Sequence, residues 1–149
     1  MDVKKLESFV KFSNRDEIKL SLQLDDQRIV QVEIHSVACP ECLDEIKKLK
    51  NNLRLHAQDY SKMPLPTGEH HSAVLVRELI MKSRSEWAFP YKEEELCHCR
   101  NVATSIVDDC IIGGLHRVSE IGEKTMAGTA CGICRPMTQM LIDYRLGED

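Results

Sequence analysis

Ile18-Lys19-Leu20-Ser21-Leu22-Gln23-Leu24-Asp25-Asp26-Gln27-Arg28-Ile29-Val30-Gln31-Val32-Glu33-Ile34 decides the architecture of the N-terminal half of the chain. Ile18, Leu20, Leu22 and Leu24 alternate with polar residues, and Val30, Val32 and Ile34 repeat the pattern. A side-chain period of two belongs to a strand with one buried face. Asp25-Asp26-Gln27-Arg28 has turn chemistry, so the stretch predicts a β-hairpin. Upstream, residues 3–12 (Val-Lys-Lys-Leu-Glu-Ser-Phe-Val-Lys-Phe) predict a short helix. Downstream, Leu43, Ile46, Leu49 and Leu53 recur at helical spacing and predict a helix after Cys42. Residues 57–71, with Pro64, Pro66 and Gly68, read as a loop. A second helix is expected from about Ser72 to Ser85, with Leu75, Leu79 and Ile80 inward. The fold class is therefore α+β: a small antiparallel sheet packed with helices.

The pattern changes after residue 86. Residues 87–95, with Pro90 and Glu93-Glu94-Glu95, read as a linker. From residue 96 to 149 only short helices are predicted. Val102 to Ile112 ends at Gly113-Gly114, Ser119 is expected to cap a helix towards Met126, and Met137, Met140, Leu141 and Tyr144 mark a last helix after Pro136. Two domains follow, residues 1–86 and a small all-helical domain over residues 96–149.

Composition bounds the function. The 149 residues carry a net charge of -4. That balance gives no general basic field, so neither nucleic acid nor an anionic membrane is an expected partner. No apolar run approaches the length of a membrane span. The first residues show no secretory pattern, which points to the cytoplasm. There is no nucleophile–base constellation, phosphate loop or nucleotide motif, so no enzymatic activity is expected. Seven cysteines are many for this length, and six of them fall into the close pairs 39/42, 97/99 and 131/134. In a reducing compartment such clustering means metal rather than disulfides.

The strongest chemical signal is Cys97-His98-Cys99 and, further on, Cys131-Gly132-Ile133-Cys134. A [2Fe-2S] cluster takes four thiolates on two irons. Two cysteines one or two residues apart clamp one iron, so two such pairs hold both. Each pair is expected at the start of a helix, whose free N–H groups suit an anion. Arg100 and Arg135 follow ligand positions and can add charge-assisted contacts, while Gly128 and Gly132 allow close backbone approach. Structural zinc also takes four thiolates, but it more usually pairs two Cys-x-x-Cys knuckles. Spacing favours the cluster. Cys110, among Ile106, Val107 and Ile111, reads as a packing residue.

Leu96-Cys97-His98-Cys99-Arg100-Asn101-Val102 and Ala127-Gly128-Thr129-Ala130-Cys131-Gly132-Ile133-Cys134 resemble the bacterioferritin-associated-ferredoxin-like [2Fe-2S] domain over about residues 95–146. The resemblance implies a compact helical fold with Cys97, Cys99, Cys131 and Cys134 as cluster ligands. In the N-terminal half, Asp16-Glu17-Ile18-Lys19-Leu20, Ile34-His35-Ser36-Val37-Ala38-Cys39 and His70-His71-Ser72 resemble the scaffold domain of NifU and IscU proteins over about residues 14–85. The order of the two segments is the NifU order. Of the scaffold's three cysteines only Cys39 is present, with Asn14 at the first position and His71 at the third, and Cys42 is an addition. The resemblance thus implies a shortened, NifU-like protein of iron–sulfur cluster assembly or transfer, with a cluster donor or apo-acceptor as partner. The alternative is an electron-transfer module or a redox or iron sensor whose N-terminal domain docks a partner. Asp16, Cys39, Cys42, His70 and His71 form a candidate second site for zinc or iron. The competing reading has Cys39 and Cys42 merely capping and packing a helix.

Overall fold

The computed structural model describes residues 3–13, 15–130 and 132–147. The chain divides into two compact units, residues 1–68 with 72–87, and residues 69–71 with 88–149.

The first unit is built on strands β1 (Val3–Phe12), β2 (Asp16–Asp25) and β3 (Arg28–Val37), antiparallel in the order β1-β2-β3. The hairpin lies where the alternation placed it. Asp25 pairs with Arg28, and Asp26 takes the left-handed conformation (φ 58°) that the two-residue turn demands and that Asp tolerates. β2 is the central strand, and its Ile18, Leu20, Leu22 and Leu24 are buried. Each such side chain contributes about 1.5–3 kcal/mol by leaving water. Two helices follow, α1 (Pro40–Leu55) and α2 (His71–Ser83), joined by a segment with one 3-10 turn at Tyr60–Lys62. α1 buries Cys42, Ile46, Leu49 and Leu53; Leu43, expected in this stripe, is 43% exposed, and Cys42 takes its place. α2 is buried on almost every side, including Leu75, Leu79 and Ile80. Although His71 groups with the second unit, it is the first residue of a helix that otherwise lies in the first.

The helix expected over residues 3–12 is corrected: this segment is strand β1, paired with β2 along its whole length. Ser8, Val10 and Phe12 are buried, whereas Phe9 is 47% exposed. Ser8 hides the alternation, because a polar residue occupies a buried position. It is satisfied there by donating its hydroxyl to the Leu79 carbonyl at 2.9 Å.

The second unit is helical as expected, with α3 (Thr104–Ile112), α4 (Val118–Thr125) and α5 (Arg135–Leu146). It has one addition, a short antiparallel ribbon of β4 (Glu95–Cys97) and β5 (Val102–Ala103). Its core gathers Leu96, Val102, Val107, Ile111, Ile121, Leu141 and Ile142, with Phe89 and Tyr91 packed against them. The segment read as a linker thus supplies two aromatic rings to this core. Ser119 does not cap α4. The helix begins at Val118, two residues earlier than that cap would set, and Arg117 stands at the cap position without a side-chain bond. α5 is tied to α3 by Arg145, 5% exposed, which donates two hydrogen bonds to Asp108 at 2.8 and 2.7 Å. No helix among the described residues is long and apolar enough to cross a membrane.

Candidate metal centres

The ribbon presents the first thiol pair. Leu96 is buried and anchors β4, Cys97 ends that strand with its side chain buried, and the chain then turns through residues 98–101. Asn101 adopts φ 54° in this turn, a conformation asparagine tolerates well. Cys99 lies in the turn and is exposed. The two sulfurs are 3.6 Å apart. A tetrahedral metal–thiolate site with bonds of about 2.3 Å has edges of about 3.8 Å, so the pair is set to share one metal. The first pair thus sits on a ribbon turn, not at a helix start. Of the second pair, Cys134 keeps the expected place, at the cap position of α5.

Cys134 is buried. Burial, reinforced by the neighbouring Cys97 thiol, pushes its pKa up to about 11. A metal bound by this thiol would have to displace that proton, so its binding would depend on pH. Cys131 lies outside the described residues. The loop before α5 is shaped by Gly128 and Gly132, both at φ 75°. A Cβ on Gly128 would stand 2.9 Å from Arg135 Cγ and 3.6 Å from Cys134 Sγ. Arg135 donates from Nε to the Gly128 carbonyl at 2.9 Å, so it braces the loop. Arg100 stands exposed on the ribbon turn. His98 is also exposed, with Nδ1 2.7 Å from Glu95 Oε1.

Cys97, Cys99 and Cys134 face a cavity of about 570 Å³ whose wall also includes Tyr91, Leu96, Ile133 and Met137. Thiols, an apolar wall and the start of a twelve-residue helix suit an anionic cluster. The residues present fit a [2Fe-2S] group. Sequence reasoning missed the braces of the ribbon. Tyr91 donates its hydroxyl to the Glu95 carbonyl at 2.9 Å, and Thr104 donates its hydroxyl to Glu93 O at 2.6 Å and its amide to Glu94 O at 2.7 Å. A threonine at a helix start was the available signal. Cys110 is half-buried against the same core, where burial raises its thiol pKa, in keeping with packing.

The first unit assembles a different donor set. Asp16 opens β2 and is completely buried. Cys39 precedes α1, where Pro40 fixes the first turn, and its amide donates to Asp16 Oδ1 at 2.7 Å. Cys42 lies one turn along α1, also completely buried. Burial, with Cys39 and Asp16 against it, drives its thiol pKa far up. With His71 of α2, these groups offer ligand atoms that all lie within 4.8 Å of one another. This cysteine–histidine–aspartate set can hold a metal ion. His70 does not join it; it is exposed, with its ring 4.3 Å from that of His71. Asn14 lies outside the described residues.

The described cysteines form no disulfide among themselves. No solved structure matches the chain. Over 54 residues it is 30% identical to the nitrite reductase [NAD(P)H] large subunit of Klebsiella oxytoca, which covers 36% of this chain and 6% of that protein. The chain therefore spans only a small fraction of this relative's length. Residues 96–144 match the family model for the BFD-like [2Fe-2S] binding domain. The segment that carries the thiols on the ribbon and at the start of α5 is thus a BFD-like [2Fe-2S] binding domain.

Proposed function

We propose that this chain is a cytoplasmic, non-enzymatic [2Fe-2S] protein that assembles or hands on iron–sulfur clusters, as a NifU-like protein does. One observation carries the reading. A chain with a BFD-like [2Fe-2S] binding domain also gathers Asp16, Cys39, Cys42 and His71 into a second donor set. An electron carrier needs one redox centre, whereas a protein that handles iron has use for two thiol-bearing sites. When bound, the cluster supplies one-electron redox chemistry or serves as cargo. Buried Cys97 and Cys134 hold it on one side, and Cys99 leaves it approachable on the other. Its partner is a protein, either a cluster donor or an apo-acceptor with thiols of its own.

The second reading is an electron-transfer module. It draws on the similarity to a nitrite reductase subunit, a protein that works by reduction. Mixing the cluster-loaded chain with an apo-ferredoxin separates the two. Assembly predicts that the acceptor gains visible circular dichroism while this chain loses it. Repeated one-electron cycling with no cluster loss, and no gain by the acceptor, would favour the carrier.

A further inference from the structure

Strand β3 pairs with β2 on one side only and forms an edge of the three-stranded sheet. At its start the Ile29 amide donates to the Ala57 carbonyl at 2.7 Å. From Val30 to Val37 the described residues give the outer edge no backbone partner. Such an edge is usually blunted by proline, by an inward-pointing charge, by a bulge or by shortness. β3 is ten residues long and lacks proline, and its one pairing irregularity sits at the hairpin end, opposite Gln23 and Leu24. Val32 and Ile34 pair with Leu22 and Leu20, so with Val30 they share the face those leucines bury. Val30 and Val32 are nonetheless 42% and 38% exposed, whereas Leu20 and Leu22 are fully covered. The valines line a groove whose other wall is Lys50, Leu53 and Arg54 of α1.

We propose that β3 pairs antiparallel with β3 of a second copy of this chain, joining two three-stranded sheets edge to edge. The strand's own sequence selects that occupant and the register. A slip of one residue would turn the apolar set to the wrong face, so the groove sides stay together. With Val32 opposite its own counterpart, Val30 meets Ile34 on both sides of the centre, and each groove-side apolar residue has an apolar partner. On the other face Gln31 meets Glu33, a compatible pair, since Gln31 Nε2 already donates to Glu33 Oε1 at 3.2 Å within one copy. Arg28 meets Ser36 and Ile29 meets His35, so no like charges stand opposed. Sliding the partner two residues one way sets Glu33 against Glu33, and the other way sets Arg28 against Ile34. Lys50 and Arg54 would also suit an acidic peptide, but only a second copy uses this match of the strand with itself. Ten residues a side fall below the roughly 20–30 of a stable interface, so the dimer is weak and depends on concentration. The inference stands apart from the function proposed above, because it uses no thiol and no metal.

The test uses the full chain, kept reduced so that no disulfide joins two copies. Sedimentation between about 1 and 500 μM should show monomers of 17.0 kDa passing into dimers. Amide exchange over residues 30–36 should slow about threefold or more across that range, while β1, the opposite edge, keeps its rates. Val32→Lys, at a half-exposed position the monomer tolerates, should weaken dimerisation more than tenfold and leave the urea midpoint in place. Phe9→Lys, on the outer face of β1, should dimerise as the unmodified chain does. A chain still monomeric at the highest concentration would overturn the inference without relying on any variant. So would a dimer whose slowed amides lie in the second unit, or one that Val32→Lys leaves as strong. Slowing over residues 30–36 only when a glutamate-rich peptide is added would give the edge to a partner segment and overturn the dimer.

Discussion

Gly128 shows how narrowly the cluster loop is made. Its φ of 75° is costly for any residue with a Cβ, and that Cβ would press on Arg135 at 2.9 Å. Gly128→Ala is expected to destabilise the second unit by about 1–3 kcal/mol and to loosen cluster retention, read as faster bleaching under chelator. The cysteines divide by role in the same assay. Cys97→Ser, Cys99→Ser, Cys131→Ser and Cys134→Ser should each abolish stable colour. Cys110→Ser should keep it, with a stability loss of about 1 kcal/mol. These four candidates stood out in the sequence because short Cys-x-Cys and Cys-x-x-Cys spacings are meaningful without any fold. The second donor set was legible through the resemblance: Asp16, Cys39, Cys42 and His71 were all expected together, and the structure leaves out only His70.

At the scale of elements, alternation and helical stripes were readable wherever buried positions were apolar, as in β2 and α1. β1 was not, because Ser8 breaks its apolar face and Phe9 points outward. The 3-10 turn was invisible for another reason, since side-chain bonds rather than periodicity hold it. Arg84 donates to the Tyr60 and Met63 carbonyls at 2.8 and 2.6 Å, and the Tyr60 hydroxyl meets Ser83 Oγ. Burial raises the Tyr60 pKa above its ordinary value of 10.0. The folded state therefore prefers the neutral phenol. Its contribution is complete below the ordinary tyrosine pKa and declines as pH climbs from there towards the folded value. Tyr60→Phe should reduce the alkaline loss of stability in urea titrations run between neutral pH and about pH 11; an unchanged alkaline slope would refute the assignment. In the second unit, Asp108→Ala strands the Arg145 guanidinium. About 2–4 kcal/mol should be lost, seen as a lower urea midpoint for cluster bleaching.

For the whole molecule, each unit has its own hydrophobic interior, and the residues that match the [2Fe-2S] family model all fall in the second. A fragment of residues 88–149 should fold around its cluster and stay red-brown, since metal binding supplies folding energy to so small a domain. A fragment cut at residue 96 loses Phe89, Tyr91 and the bonds from Thr104 to Glu93 and Glu94, and should hold its cluster more weakly. Equal retention by both would show that the aromatic segment is dispensable. The composition shift near residue 87 was visible in the sequence. The contribution of residues 88–95 was not, because two rings among charged residues carry no periodicity.

The uneven exposure of the described cluster thiols also fixes how the metal-free protein ages. Peroxide in solution meets Cys99 first, while Cys97 and Cys134 lie shielded beneath the surface. Oxidation of that one sulfur to the sulfinic state is permanent without a dedicated repair enzyme. Among the described thiols of this unit, Cys99 is therefore the one through which a batch left in air is expected to begin losing its capacity for the cluster.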